Sequence, residues 1–403
     1  MSSAPVDGPR PSFTDLGVPP DLLEVLRSRG IQAPFPIQAL VLPDAMAGVD
    51  VLGRSHTGSG KTLAFALPVV ERVTQADAPP AALVLVPTRE LAQQVVGEFR
   101  PLAGRRGLRV AVAHGGAPLR PQARQAGASH VLVATPGRLE DLASRGLVRL
   151  GGVRVLVLDE ADRMLDLGFR PQVERLVRRL PARRQTMFFS ATLDGETGRM
   201  ARAFTHDPRT HVVEGGPTVE QAEHRFLPVT EGNKVRALVE LLSSEEGRAL
   251  VFVRTRRGAE RLVARLRALG VEAEAMHGDL SQAAREEALA RFARGRARTL
   301  VATDVAARGL DVEGIARVVN FDPPESGEAY VHRVGRTARA GRSGQGVTLV
   351  LPDQQADVGR IARQLDLGAR FEEAGLVLAP PRVVYASARG RRSQLAGRRG
   401  RRF

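Results

Sequence analysis

Residues Val153–Asp162 read VRVLVLDEAD. An apolar, β-branched run ends in three carboxylates within four residues. A run of this length and composition predicts a fully buried central strand. Acids at the C-terminal end of such a strand sit where open α/β sheets bind ligands. Buried carboxylates are costly unless a positive group lies close. Mg²⁺ carrying a nucleotide phosphate meets that need.

Such a ligand requires a phosphate cradle, and Ser55–Thr62 reads SHTGSGKT. It follows the apolar Val51-Leu52-Gly53 and precedes the helix-like Leu63–Leu67. Strand, glycine-rich turn, Lys-Thr and helix form a phosphate-loop layout. The backbone of Ser55, Thr57, Gly58, Ser59 and Gly60 can approach the phosphates, and the helix N-terminus adds positive field. Lys61 would reach the β- and γ-phosphates, and Thr62 would reach Mg²⁺. The strict pattern has Gly at its first position, where this chain has Ser55.

The basic residues carry an independent sign. Of 59 Lys and Arg, lysine occurs only at Lys61 and Lys234. An arginine-rich chain that keeps lysine in this loop points to a site needing a compact ammonium. Lys234 reads as an ordinary helix-start residue.

A chain of 403 residues fits two domains, each with its own core. No apolar run approaches the roughly 20 residues of a membrane span. The segment MSSAPVDGPRPS lacks the apolar region of a secretion signal. The absence of Cys excludes disulfides, Cys-ligated zinc and thiol catalysis. These features suit a cytoplasmic protein. The net charge of +15 favours a polyanion partner, most simply nucleic acid. About half of it comes from residues 381–403, which hold eight arginines and no acid. That segment predicts a disordered basic arm that adds phosphate affinity without reading sequence.

The chain also echoes itself. ALVLVPTR at Ala82–Arg89 is matched by ALVFVRTR at Ala249–Arg256. His114-Gly115-Gly116 is matched by His277-Gly278-Asp279, and LVAT at Leu132–Thr135 recurs at Leu300–Thr303. The offsets are 167, 163 and 168 residues. Three matches in one order at nearly one offset indicate two copies of one α/β unit. Strand-like runs alternate with helix-like stretches in both copies, which predicts parallel sheets with helices on both faces. Glu214–Thr218 reads as a turn-rich linker. Only the first copy has a phosphate loop. The second carries Arg333, Arg336 and Arg339 at three-residue spacing beside His332. Clustered arginines repel unless an anion meets them, and an arginine from a neighbouring domain can stabilise a transferring phosphoryl group.

With these residues in view, the chain resembles a DEAD-box ATP-dependent RNA helicase of superfamily 2, a minimal helicase core. The matching motifs are PFPIQ (Pro34–Gln38), PTRELAQ (Pro87–Gln93), TPGR (Thr135–Arg138), DEAD (Asp159–Asp162), SAT (Ser190–Thr192), ARGLD (Ala307–Asp311) and HRVGRTARAG (His332–Gly341). The resemblance covers roughly Phe13 to Leu367. It implies two tandem RecA-like domains, at 13–213 and 223–367. A flexible segment 1–12, a linker 214–222 and a basic tail 368–403 complete the chain. It implies ATP with Mg²⁺, RNA held mainly by its sugar-phosphate backbone, and ribosomal or RNA-degradation assemblies as settings. Gln38 would read the adenine edge, with Phe13 near the base and Asp311 near the ribose. Asp159 would hold the metal, Glu160 would deprotonate the attacking water, and Arg336 and Arg339 would be arginine fingers. Asp162, Ser190, Thr192 and His332 would couple the site to RNA. Pro87, Arg89, Gly116, Thr135, Arg138, Gly278, Gln282, Arg285 and Thr303 would line the RNA path.

This chain departs from the family's usual spelling in a few places. Phe35 stands where Thr is frequent, Ile31 where an aromatic is common, Ser55-His56 where Ala-Gln is usual, and Ala338 where Gly separates the two finger arginines. Three activities share these features: RNA-stimulated ATP hydrolysis with local, non-processive unwinding, an ATP-gated RNA clamp or annealing factor, and a DNA translocase. The motif spelling and the lack of an evident extra motor domain tell against the third.

Overall fold

The computed structural model describes residues 11–55, 59–213, 222–243, 247–307, 314–337 and 344–378. Seven strands form the first sheet: β1 Val51–Arg54, β2 Ala82–Leu85, β3 Val110–Ala113, β4 Val131–Ala134, β5 Val155–Leu158, β6 Gln185–Ser190 and β7 Arg209–Val212. Their spatial order is β3-β4-β2-β5-β6-β1-β7, with every neighbouring pair parallel. The second sheet contains β8 Ala222–Pro228, β9 Arg248–Phe252, β10 Ala273–Met276, β11 Thr299–Ala302, β12 Ile315–Asn320 and β13 Gly344–Val350. Its order is β10-β11-β9-β12-β13-β8, again all parallel.

Matching β8 to β1 and β9–β13 to β2–β6 makes the two orders identical, with β7 as the first sheet's extra edge. The internal echo in the sequence is therefore a repeated topology. Its details repeat as well. Thr88 and Thr255 are equivalent residues, and each caps the helix that follows. Thr88 accepts from the Leu91 N–H at 3.2 Å, and Thr255 from the Gly258 N–H at 3.0 Å.

The short apolar runs are buried on both sides because helices cover both faces. In the first domain Val84, Val133 and Val157 point into one core cluster with helices Pro36–Ala47, Lys61–Arg72 and Arg89–Arg105. Leu85, Leu132 and Leu158 point into another, with helices Pro136–Ser144 and Arg170–Val177. The second sheet divides in the same way, with Leu250, Leu300 and Val318 on one face and Val251, Val301 and Val319 on the other.

Two expected boundaries move. Ala222, assigned to the linker, already pairs with Gly344 as the first residue of β8. The basic tail does not begin at 368. Gly368–Glu373 is a helix, and Phe371 and Leu376 are buried in the second domain's core. The Phe371 ring meets Phe226 edge-on, with centroids 5.1 Å apart. Apolar residues at 371 and 376 give this segment a core to join, which the arginine-rich composition further on had obscured. Residues 379–403 and the linker at 214–221 lie outside the described residues. Lys234 is more than a helix start. It is buried, pairs with Asp322 at 3.0 Å and lies over the Phe321 ring at 4.3 Å.

Phe371→Ala should destabilise the second domain by about 3–5 kcal/mol, read as an earlier transition in urea or thermal denaturation. A chain ending at Leu367 should show a comparable loss, and one ending at Leu378 should not. An unchanged midpoint after truncation at 367 would remove this helix from the domain.

Candidate nucleotide cleft and nucleic-acid interface

The phosphate loop leaves β1 and enters the helix at Lys61 through Gly60, whose φ is +85°. A Cβ on Gly60 would lie 2.6 Å from Gln38 Nε2 and 2.7 Å from the Phe35 ring, so glycine is required twice over. Lys61 Nζ donates to the Ser55 carbonyl at 3.0 Å, and the Ser55 and Ser59 hydroxyls share a hydrogen bond at 2.9 Å. Lys61 thus ties the start of the helix back to the end of β1. Thr62 follows in the first helical turn. Thr57 and Gly58 lie outside the described residues, as does His56.

Gln38 is fully buried, and both ends of its amide are engaged. Oε1 accepts from the Phe35 N–H at 2.9 Å, and Nε2 donates to the Gly60 carbonyl at 2.8 Å. The residue expected at the adenine edge is therefore tied to the phosphate loop, with one Nε2 proton left for a base acceptor. Phe13, expected near the base, is a core residue instead. It is 3 % exposed and packs in the cluster that holds Leu22 and Phe65. Phe35 is the aromatic left open here, 49 % exposed beside Gly60. In the sequence it registered only as a departure from family spelling.

The carboxylates at the end of β5 divide into distinct environments. Asp159 is buried, and burial raises its pKa to about 6, with Lys61 opposing the rise and Glu160 and Asp162 adding to it. One carboxylate oxygen accepts from the Glu160 N–H at 3.0 Å. A desolvated carboxylate beside a phosphate loop is a fitting partial ligand for Mg²⁺, which is bound by one or two carboxylates together with substrate phosphates. Among the described residues no cluster of three or more acidic, His or Cys side chains could hold a metal by itself. The donor set thus fits an ion that arrives with a nucleotide.

Glu160 has φ +53°, a left-handed conformation uncommon for a residue with a Cβ. Its Oε2 accepts from Arg163 Nη1 at 2.6 Å, and both side chains are 4 % exposed. Arg163 was missed in the sequence because an arginine just after an acidic motif reads as surface charge. Asp162 faces the other way. Its Oδ2 accepts from the N–H groups of Ala191 (2.9 Å) and Thr192 (3.3 Å). The Ser190 hydroxyl accepts from the N–H groups of Asp162 and Thr192, each at 3.3 Å. Asp162, Ser190 and Thr192 are thus brought together as expected, with Thr192 joined through its main chain.

The arginine run of the second domain does not form one helical face. Its helix spans Gly327–Val334 and ends at Gly335. Arg333 turns into its own domain, donating to both Asp304 carboxylate oxygens at 2.6 Å and to the Asn320 and Asp322 oxygens. Arg336 lies beyond the helix end and is buried. His332 lies within electrostatic reach of the first domain's DEAD strand end. Burial pushes its pKa down to about 4; Arg163 and Arg336 act in the same direction, while Asp162 and Glu160 oppose them. Arg339 and Asp311 lie outside the described residues, as does Ala338.

The RNA-path residues gather at the C-terminal ends of both sheets. Thr135 follows β4 and Thr303 follows β11, and each main-chain N–H continues the ladder, to Ala113 and Met276 respectively. Pro87 is buried after β2. Gly116 has φ +88°, and the Arg89 guanidinium lies over it and Gly115. Arg256 lies over Gly278 in the same way. Arg138 donates to the Ala117 carbonyl and to Gln122. Gln282 donates to Glu286 at 2.9 Å. Arg285 does not lie open along this path. It forms a largely buried ion pair with Glu90 of the first domain at 3.0 Å, bridging the two domains.

Comparison with known proteins agrees with this geometry. Residues 35–200 match the family described as DEAD/DEAH box helicase, and residues 233–341 match the helicase conserved C-terminal domain. A relative from Geobacillus kaustophilus, the DEAD-box ATP-dependent RNA helicase CshA, is 41 % identical over 87 % of this chain and 76 % of its own. The ATP-dependent rRNA helicase RRP3 of Candida albicans is 42 % identical over 84 % of this chain, which spans 64 % of that relative. Among solved structures, yeast Dbp5 bound to RNA and ADP BeF3 superposes with a TM-score of 0.80 at 30 % identity, covering 89 % of this chain and 94 % of that one. A Methanococcus jannaschii DEAD box protein reaches only 0.53 at 34 % identity, covering 88 % and 97 %. The motif order, the repeated sheet and these likenesses together place the chain in the DEAD-box helicase family.

Proposed function

We propose that the protein is an ATP-dependent RNA helicase that couples RNA-stimulated ATP hydrolysis to local, non-processive opening of short duplexes. Its setting would be cytoplasmic ribosomal or RNA-degradation assemblies. The observation that carries this reading is the Arg285–Glu90 ion pair at 3.0 Å, which joins the two domains, with His332 of the second domain within electrostatic reach of Asp162, Glu160 and Arg163 of the first. The end of the DEAD strand is therefore complete only when the cleft is closed.

In this reading Lys61 and the loop amides bind the triphosphate, and Gln38 holds the loop against the base site. Asp159 and Thr62 would hold Mg²⁺, which supplies charge neutralisation to the phosphates. Glu160 takes the proton of the attacking water, and Arg163 orients its carboxylate. Arg336, and Arg339 by its motif position, meet the charge that develops on the γ-phosphate. Asp162, bonded to Ser190 and Thr192, passes the state of this site to the loops that face RNA. A closed cleft that accepts a single strand, through its phosphates and 2′-hydroxyls, strips one strand from a short duplex.

Glu160→Gln should retain ATP and RNA binding while losing about 10²–10⁴-fold in turnover; turnover near the parent's would remove Glu160 as the base. Strand displacement on a short RNA duplex should require ATP and should fail on the equivalent DNA duplex. ATP-dependent binding without displacement would favour a clamp instead.

The position of His332 gives a pH dependence. In an open cleft the ring has an ordinary pKa near about 6.5, and in the closed cleft it is about 4. Closing on a protonated ring must expel that proton, so closure is fully favourable above pH of about 6.5. Below that it weakens by up to about tenfold per pH unit until about pH 4. RNA-stimulated turnover of the parent should therefore fall more steeply between about pH 6.5 and 5.5 than that of His332→Gln. Identical acid limbs would contradict this.

A further inference from the structure

The helix Arg256–Ala268 follows β9 and buries Ala259, Leu262, Val263 and Leu266 against the second sheet. Its opposite side carries Arg257, Arg261 and Arg265, all exposed. Residues four apart on a helix stand on one face at steps of about 6 Å, so the three guanidiniums form a row about 12 Å long. Their neighbours on the same helix have acidic partners: Arg256 pairs with Asp279 at 2.5 Å and Arg267 with Glu274 at 3.2 Å. Glu260 approaches His277 at 3.3 Å. Among the described residues, none of the three row arginines has a carboxylate partner.

The duplication supplies an internal control. At the offset of 167 residues, the equivalent positions of the first domain are Glu90, Gln94 and Glu98. Glu90 is bound by Arg285 and Glu98 by Arg29 at 2.8 Å. The same helix face is thus acidic and occupied in one copy, and basic and open in the other. The shared fold does not require arginine there, and the row lacks the intramolecular partners that would make it structural.

The row also has a direction. Its helix starts at the sheet end where Arg256 packs on Gly278, close to the proposed RNA path, and runs away from the cleft over the outside of the second domain. We propose that Arg257, Arg261 and Arg265 form a track for the sugar-phosphate backbone of RNA where the strand leaves the cleft on this side. The track would hold flanking RNA without reading bases, since evenly spaced guanidiniums meet phosphates of any sequence. It would let the second domain keep hold of a substrate while the cleft opens. The proposal rests on the reading that the cleft binds RNA.

The test uses the full chain and two oligouridylates, one that only fills the cleft and one that extends well beyond it. The variants are R257Q/R261Q/R265Q and R257E/R261Q/R265E, the latter carrying the first domain's pattern. A charge-matched control, R178Q/R179Q/R183Q, lies just before β6, at the opposite end of a sheet. For the long strand, the Gln variant should lose roughly tenfold in affinity at low salt, and its log Kd against log salt slope should fall by about 2. The Glu variant should lose more. The short strand should bind and stimulate ATP hydrolysis as it does with the parent, and the control should leave both slopes unchanged. An unchanged long-strand slope, or an equal loss in the control, overturns the track. If the short strand fails to bind even the parent, the RNA reading of the cleft falls, and the track with it.

Discussion

Asp159, Glu160 and Asp162 are nine-tenths or more buried within four residues of chain. Mutual repulsion and desolvation would make that arrangement untenable without partners, and each acid has a different one. Asp159 faces Lys61 and keeps a raised pKa, Glu160 is held by Arg163, and Asp162 is capped by main-chain N–H groups after β6. The three carboxylates sit in different environments because three different groups face them. The phosphate loop, the Ser190–Thr192 segment and the facing His332 are all positioned around this one strand end.

The duplicated unit explains how a symmetrical frame makes an asymmetrical cleft. Both copies place threonines, glycines and arginines at the C-terminal ends of a parallel sheet, where ligands of such sheets bind. Only the first has the lysine loop, and only the second brings a histidine, His332, within electrostatic reach of the DEAD strand end. The ion pair between Glu90 and Arg285 draws on the same repeat, since Glu90 follows Arg89, the helix-start arginine that Arg256 echoes. The Arg285–Glu90 pair joins these two unlike halves.

Much of this was legible in the residues. The β5 run, the phosphate loop and the echoes set out both sheets, and Asp162, Ser190 and Thr192 meet as expected. What the sequence hid depends on tertiary partners. Phe13 and Phe35 are both aromatic, and only packing decides that one is core and the other open. Arg285 looks like a phosphate ligand until Glu90 is placed beside it. Arg333, Arg336 and Arg339 have uniform spacing, yet a helix end at Gly335 separates Arg333, paired within its own domain, from Arg336. Phe371 and Leu376 escaped notice because a basic segment follows them.

The central claim is that nucleotide and RNA act on one shared closure. Closure should therefore couple their affinities by about 1–3 kcal/mol, or roughly 5- to 150-fold, and reciprocally. The most direct measurement is the affinity of the parent protein for a short single-stranded RNA, with and without a non-hydrolysable ATP analogue. The analogue should tighten RNA binding within that range, and RNA should tighten the analogue's binding by the same factor. Equal RNA affinity in both conditions would contradict it.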